Sequence, residues 1–452
     1  MKILDTLLGL PVFGLLLFCS PAWASEEDDA SEESTDEAPA DEAPEAETLP
    51  DEVPADEAPV DAAPTDEAPA EEAAVEETPA DEAPAKEAPE AEDVADEDSS
   101  SAPTLPTVEF TFGAHERARV WIQDSDNWHV QNKADASIGA SFGPLYGKVM
   151  VRDHRNWGST GEDGTFEVSE AFAGLKLDVG LDVRWGRMKH NWHNGRLLSD
   201  DEWTGGGRSH DGARLGFTRE KFDLEALWIK SPAGEKAHVV GLRAGPRIGE
   251  TLTLDGVAIV DMNLDPGVGQ TRATVGAVAM GSVGVLSYQF EGYGQLGDVG
   301  DDSYGAWMAA ARFAVAMDHV IKPTFGGGVD VLSGDSDPAD GKVGTFSTLF
   351  GTNHRFLGHA DRYLGGNGDA GLIDGQFTFG MSPYEAMRLE VGVHAFAAME
   401  ADEGEAFEGI ELDLDMTWTP WEPMDILIGV WVFVPRGEDA EVTALVQTDL
   451  RF

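Results

Sequence analysis

Residues 440–452 read AEVTALVQTDLRF, and the alternation in this stretch decides the class of fold. Val442, Ala444, Val446, Leu450 and Phe452 share one parity, while Glu441, Thr443, Gln447, Asp449 and Arg451 share the other. Side chains of an extended strand point to opposite faces at successive residues, so this is a strand with one apolar and one polar face. The pattern recurs upstream. Phe110, Phe112 and Ala114 alternate with Thr111, His115, Arg117 and Arg119, and Val149 and Val151 with Lys148, Met150 and Arg152. Leu181, Val183 and Trp185 alternate with Asp182 and Arg184, and Leu215 and Phe217 with Arg214 and Thr218. Late in the chain Ile410, Leu412, Leu414, Met416 and Trp418 alternate with Glu411, Asp413, Asp415 and Thr417. Strands of soluble sandwiches average five or six residues, whereas many of these segments run to nine or more, the length at which a tilted strand crosses a membrane.

About eighteen such segments lie between residues 107 and 452, and their connections alternate in length. Tight ones fall at 143–146, 219–221, 281–282 and 382–384; long ones at 191–210, 297–303 and 334–369. Short turns at one rim and long loops at the other predict an antiparallel, up-and-down transmembrane β-barrel with the long loops outside the cell. An even strand number returns Phe452 to the periplasmic rim, where Thr107 also starts. Trp185, Trp228, Trp307, Trp418, Trp421 and Trp431, near segment ends, suit the aromatic girdles of such a barrel. A strand that ends on an aromatic residue resembles the closing strand of bacterial outer-membrane barrels, which implies that the barrel-assembly machinery reads Phe452.

Residues 1–24 carry one Lys, an apolar run and Ala22-Trp23-Ala24, the pattern of a cleaved secretory signal peptide. The run is too short to span a bilayer. Cys19 is the one cysteine, and Phe18 before it argues against lipidation; cleavage after Ala24 leaves a chain without disulfide or thiolate chemistry. The whole chain carries a formal net charge of −55, and residues 25–106 hold 32 of its 85 acidic residues against a single base, Lys86. Drifting Asp-Glu-Ala-Pro units, almost devoid of aromatic and β-branched side chains, cannot bury enough surface to fold, and their charges repel. This Pro/Ala-rich arm is expected to be disordered, extended and periplasmic, reaching roughly 250 Å at most at about 3 Å per residue.

Two ordered blocks carry a family resemblance. The first is Trp185-Gly186-Arg187, Asn191, Asn194-Gly195-Arg196-Leu197-Leu198, Glu202-Trp203 and Gly207-Arg208-Ser209-His210-Asp211-Gly212-Ala213-Arg214-Leu215. The second is Leu332-Ser333-Gly334-Asp335-Ser336-Asp337-Pro338-Ala339-Asp340-Gly341-Lys342, Gly344-Thr345-Phe346, Leu349-Phe350, His354 and Gly358-His359-Ala360-Asp361. Together they resemble the alginate-export family of outer-membrane proteins over residues 107–452. The resemblance implies an 18-stranded barrel whose basic, narrowed lumen passes an anionic polysaccharide. Two features depart from it. His210 stands where the family has Phe, and the barrel region holds 52 acids against 28 bases. A shared fold does not settle the cargo.

Parity places His115, Arg117, Arg119, Lys148, Arg152, Lys176, Arg184, Arg214, Arg243, Arg272 and Arg312 in the lumen. Opposite them lie Asp330, Asp374, Glu390, Glu411, Asp413 and Asp415. With the loop residues, the candidate solute-lining set is Arg117, Arg119, Arg152, Arg184, Arg187, Arg196, Arg208, Arg214 and Arg243, with Glu411, Asp413 and Asp415. Such a transverse field orients charged and dipolar solutes, and guanidinium forks suit carboxylate or sulfate groups. The 191–210 loop, with Gly205, Gly206 and Gly207, is the candidate constriction, since glycines let a loop fold sharply inward. Asp335, Asp337 and Asp340 resemble a calcium loop only loosely, Phe346 standing where an EF-hand has its closing Glu. His190, His193 and His210 lack a convincing third zinc ligand, and neither Ser199 nor Ser209 sits in a nucleophile motif. A channel for polar or anionic solutes or polysaccharide is therefore expected, without metal, cofactor, nucleic-acid partner or enzymatic activity. A general porin and a structural anchor for the acidic arm are the alternatives.

Overall fold

The computed structural model describes residues 107–123, 127–157, 164–249, 251–401 and 405–452. The signal-peptide and acidic-arm assignments, residues 1–24 and 25–106, lie outside the described residues. The chain forms β1 (Val108–Ile122), β2 (Trp128–Phe142), β3 (Leu145–Asn156), β4 (Gly164–Leu177), β5 (Leu181–Met188) and β6 (His210–Arg219). Next come β7 (Phe222–Lys230), β8 (Ala237–Ile248), β9 (Leu252–Asn263), β10 (Gln270–Val283), β11 (Leu286–Val299), β12 (Asp302–Ala316) and β13 (Thr324–Leu332). The two-residue β14 (Lys342–Val343) precedes β15 (Leu372–Tyr384), β16 (Met387–Ala397), β17 (Phe407–Trp421), β18 (Met424–Pro435) and β19 (Glu441–Arg451).

All but β14 are staves of one closed antiparallel barrel of eighteen strands. β1 pairs with β2 along its whole length and with β19 from His115↔Arg451 to Ile122↔Ala444. Ala114 and Phe452 exchange two further backbone hydrogen bonds, 3.0 and 2.8 Å, which carry the seam to the last residue. β13 pairs with β15 across the long 333–371 excursion, while β14 pairs only with β12, in parallel, and belongs to that excursion. Closure satisfies the ladder donors and acceptors that an open edge would expose to hydrocarbon.

The alternation seen in the sequence becomes inside and outside. In β17, Ile410, Leu412, Leu414 and Trp418 are each more than a third exposed on the outer face, while Glu411 and Asp413 are fully buried inside. Phe112, Phe166, Trp185, Trp228, Trp307 and Trp421 also face outward. An apolar surface continued around eighteen staves far exceeds what water tolerates, and it matches a bilayer.

Four sequence expectations shift. The long loop expected at 297–303 is a two-residue hairpin turn: β11 runs to Val299 and β12 begins at Asp302. Gly300, at φ +62°, supplies the left-handed turn residue, so the glycine and acid cluster there is turn chemistry within a continuous hairpin. The turn expected at 382–384 lies at 385–386; Pro383, which cannot donate to a ladder, sits at a register irregularity within β15. The 281–282 turn lies at Gly284 and Val285, with Gly284 at φ +60°. Trp431 is no girdle residue: it is mid-strand in β18, faces the lumen and is 1 % exposed.

Leu414 lies mid-strand in β17 on the lipid face. Leu414→Arg should cost about 2–4 kcal/mol in a folding equilibrium measured in lipid vesicles. An unchanged equilibrium would mean that this face does not meet hydrocarbon.

Candidate lumenal constriction

The connection between β5 and β6 turns into the barrel because its apolar and basic side chains find partners on the inner wall. Trp192, Leu197 and Leu198 are buried against an inward-facing patch that includes Leu227, Ile229, Val239, Val257 and Ile259. Arg196 is 1 % exposed. Its Nη2 donates to Asp330 at 2.6 Å, its Nε lies 3.9 Å from Glu291, and its guanidinium stacks 3.6 Å from the centre of the Phe356 ring. His190 and His193 reach Glu225 (2.6 Å) and Asp255 (2.7 Å). The two histidines thus engage different carboxylates, and His210 is buried edge-on to Phe350 at 5.6 Å. No group of three or more metal-capable side chains forms among the described residues.

Farther along, the same loop meets a different arc of wall. Arg117 donates to the carbonyls of Glu202 (2.6 Å) and Thr204 (3.0 Å), and Arg119 to that of Trp203 (2.8 Å). Lys133, Arg152 and Lys189 all reach the Glu202 carboxylate, at 2.7, 2.9 and 2.6 Å. Burial pushes that carboxyl up, yet the charges and hydrogen bonds of Lys133 and Lys189 outweigh it and hold it down at about 2. Gly207 sits at φ +65°, and a Cβ there would run into the buried Arg152 guanidinium, so this reversal needs glycine. The anchors on β11 and β13 lie nearly half-way round the barrel from those on β1–β3, so the loop crosses the lumen.

The 333–371 excursion also folds inward and joins it. Leu198 and Phe350 form a parallel bridge. Phe350 donates to Leu197 (3.0 Å), Ser199 to Phe350 (2.9 Å) and Thr352 to Gly195 (3.0 Å). Arg208 clamps the junction through the carbonyls of Phe350 and Gly351 and an ion pair with Asp201. A layered stack continues the link. The Arg119 guanidinium lies 3.9 Å from the Trp203 ring centre, Trp203 stacks on His354 at 3.5 Å, and His354 lies 5.0 Å from His359. His354 and the Trp203 indole both bond Asp361 (2.6 and 2.9 Å). His359 bonds Asp415 (2.9 Å), which also accepts the Trp431 indole N–H (3.0 Å), and Glu411 accepts the Ala360 N–H (2.8 Å). Burial lowers the His354 imidazole despite its bond to Asp361. For His359 burial acts the same way, but the Asp415 hydrogen bond and the charges of Asp415, Asp413 and Glu411 outweigh it and raise the group to about 9.

Between the joined loops lies a cavity of about 580 Å³, lined by loop side chains with Glu390 from β16. A second space of about 210 Å³ shares Trp203, His354, His359 and Glu390 with it and continues toward the short-turn rim past Arg388 and Asp415.

The sequence-derived lining set divides accordingly. Arg117, Arg119 and Arg152 grip the first loop, and Arg196 and Arg208 pin it to the wall and to the second loop. Arg184, Arg214 and Arg243 do face the lumen but are ion-paired, to Asp182 (3.2 Å), Asp182 and Glu225 (both 2.8 Å), and Asp255 (3.1 Å). Glu411, Asp413 and Asp415 form the inner wall beneath the second loop. Arg187 does not line the lumen: it shares the outward parity of Trp185 and pairs with Asp211 at 3.4 Å, its register partner on β6. The glycine between it and Trp185 hides nothing of this parity, which the alternation itself prescribes. Asp335, Asp337 and Asp340 cap nearby backbone N–H groups (2.8–3.3 Å) rather than converging on a point, and this local capping replaces the calcium-loop reading. Ser199 Oγ accepts the Asp201 N–H, and Ser209 meets Ser169 at 3.4 Å. Trp203, His354 and His359, present in the sequence only as block residues, prove to be the stack that joins the loops.

The model of the family described as alginate export matches residues 95–407. Among solved structures the fold is similar to Pseudomonas aeruginosa OccD3 (OpdP), at 9 % identity over 78 % of this chain and 93 % of that one, TM-score 0.56. The P. aeruginosa outer-membrane protein OpdK matches at 10 % identity over 76 % and 99 %, TM-score 0.58, and OccK8 (OprE) at 12 % over 76 % and 98 %, TM-score 0.56. No curated protein matches the chain in sequence. The chain belongs to the alginate-export family and is an outer-membrane β-barrel channel of Gram-negative type.

Arg196→Ala would leave the buried Asp330 and Glu291 carboxylates with Arg312 as their one remaining arginine partner. A loss of about 3 kcal/mol is expected, with faster proteolysis of the 191–210 loop; unchanged proteolysis would show that Arg196 does not hold it. The His359 contribution is full below its ordinary value of 6.5 and lost as pH rises through about 9. Protection of the 334–369 loop from protease should therefore fall across that window in the native chain and be flat in His359→Asn.

Proposed function

We propose that this member of the alginate-export family is a narrow, selective channel for small polar solutes rather than a conduit for a long polyanion. One observation carries the reading: two loops, tied to each other and to most of the wall, cross the lumen and leave a cavity of about 580 Å³. The wall chemistry agrees. Binding a polyanion along a pore calls for guanidinium groups free to fork onto successive carboxylates. Here Arg184, Arg214, Arg243, Arg272 and Arg312 already hold acids of the wall. What remains is a lumen of opposed, internally compensated charges, which favours polar solutes small enough to pass between the loops.

The long loops would face outward and the short turns the periplasm, as in other outer-membrane barrels. The acidic arm would then begin on the periplasmic side as a solvated spacer after signal-peptide removal, and Phe452, on the seam with β1, would serve as the handle for the assembly machinery. Lipid is the partner of the outer face.

Planar-bilayer recording of the purified protein tests the reading. Small, weakly cation-selective conductance without block by alginate is expected. Anion-selective conductance blocked by alginate, with both properties lost in Arg184→Glu plus Arg214→Glu, would overturn it in favour of polysaccharide export. Absence of conductance would leave the anchoring role.

A further inference from the structure

Among the described residues, the larger cavity presents two charges without an ion-pair partner, one from each loop. Of its ionisable lining groups, Asp201 pairs with Arg208 (3.4 Å), Glu202 with Lys189 (2.6 Å) and Glu390 with Arg388 (2.6 Å). His193, His354 and His359 bond Asp255 (2.7 Å), Asp361 (2.6 Å) and Asp415 (2.9 Å). Two groups stand apart among the described residues. Asp200 engages neighbours through its backbone, its N–H donating to Asn191 (2.9 Å) and its carbonyl accepting from Arg208, while its carboxylate has no partner. Arg355 is exposed, its one hydrogen bond goes to the Asn194 carbonyl (3.3 Å), and no carboxylate lies within ion-pairing distance. Asn191, Asn194 and Thr352 line the same cavity and add neutral hydrogen-bonding groups.

From this we infer that the cavity is a binding subsite for a small zwitterion of the α-amino-acid class, its ammonium held by Asp200 and its carboxylate by Arg355. The inference rests on the channel reading and specifies its cargo. A planar guanidinium fork matches a carboxylate in two parallel hydrogen bonds, and a lone aspartate matches an ammonium. A zwitterion satisfies both at once; a purely anionic solute leaves Asp200 unpaired beside like charge, and a purely cationic one leaves Arg355 so. The cavity volume exceeds that of an amino acid, leaving room for a side chain and water. A sugar ring is the poorer fit, since the indole that lines the cavity has one face under Arg119 and the other under His354, and no aromatic platform is left for stacking. Because Asp200 belongs to the first loop and Arg355 to the second, an occupant bridging them also fastens the loops together.

Equilibrium binding of L-glutamine to the full-length protein in detergent, followed by calorimetry, tests this independently of conductance. Saturable binding is expected. Analogues of the same skeleton lacking either the amino group or the α-carboxylate should bind about tenfold more weakly or worse, as should L-glutamine to Asp200→Asn and to Arg355→Gln. The analogue comparison uses the unaltered chain, so it stands even if a variant misfolds. No saturable binding, equal binding of the three compounds, or tighter binding of the singly charged anion would overturn the zwitterion assignment. Conductance without glutamine binding would sink the subsite and keep the channel; binding without conductance would sink the channel reading instead.

Discussion

Every part of this molecule depends on the seam between β1 and β19. In hydrocarbon an unpaired peptide group costs several kcal/mol, so a sheet that spans a bilayer has to close on itself. Once β1 pairs with β19 out to Phe452, side-chain parity divides the chain into a lipid face and a lumen face. Apolar residues are then free to lie outside, where a soluble protein would have to bury them. Charged residues are forced inside, into a confined space where each must find a partner.

That confinement explains the character of the lumen. A charge taken from water is costly unless it is paired and hydrogen-bonded. The wall meets this demand partly across its own strands, as in Arg272–Asp261 (3.0 Å) and Lys148–Glu170 (2.6 Å). The rest is met by drawing in the two longest connections. Arg196 enters between Glu291 and Asp330, and Glu202 reaches Lys133 and Arg152 on another arc. An apolar inner patch beneath Leu197 and Leu198 adds a hydrophobic anchor to the ionic ones. The constriction is thus a by-product of satisfying the lumen, and it turns a wide barrel into a channel with a confined cavity. Family membership concerns the barrel and its two motif blocks, and within that frame the wall arginines are held in ion pairs.

Much of the architecture was legible from the residues. The alternation of Ile410 through Trp418 assigned both faces of β17 correctly, because period 2 admits only two phases and one of them would bury charge in lipid. The three glycines and the arginines of the 191–210 loop marked it as a candidate for inward folding but left a loop packed on the rim equally compatible with the sequence. Local signals misled where turn chemistry and strand interior share a vocabulary. The Gly-Asp cluster near residue 300 reads as a long loop yet is a hairpin tip, and Pro383 reads as a turn yet sits at an irregularity in β15. Arg187 was drawn into the lining set by its motif, although its parity with Trp185 already placed it outside.

By itself the sequence determined the strand period, the two faces and the number of staves, together with the two longest connections, because these follow from local alternation and turn residues. It could not determine which charge meets which. The partners of Arg196 lie 95 and 134 residues away, and those of Trp203 and His359 lie in another loop and another strand. Such pairings depend on barrel diameter, stave order and the path of each loop across the lumen, which exist only once the ring has closed. The same holds for the two cavity-lining charges without an ion-pair partner among the described residues, Asp200 and Arg355: a residue is unpaired only relative to all the neighbours that folding could have brought to it.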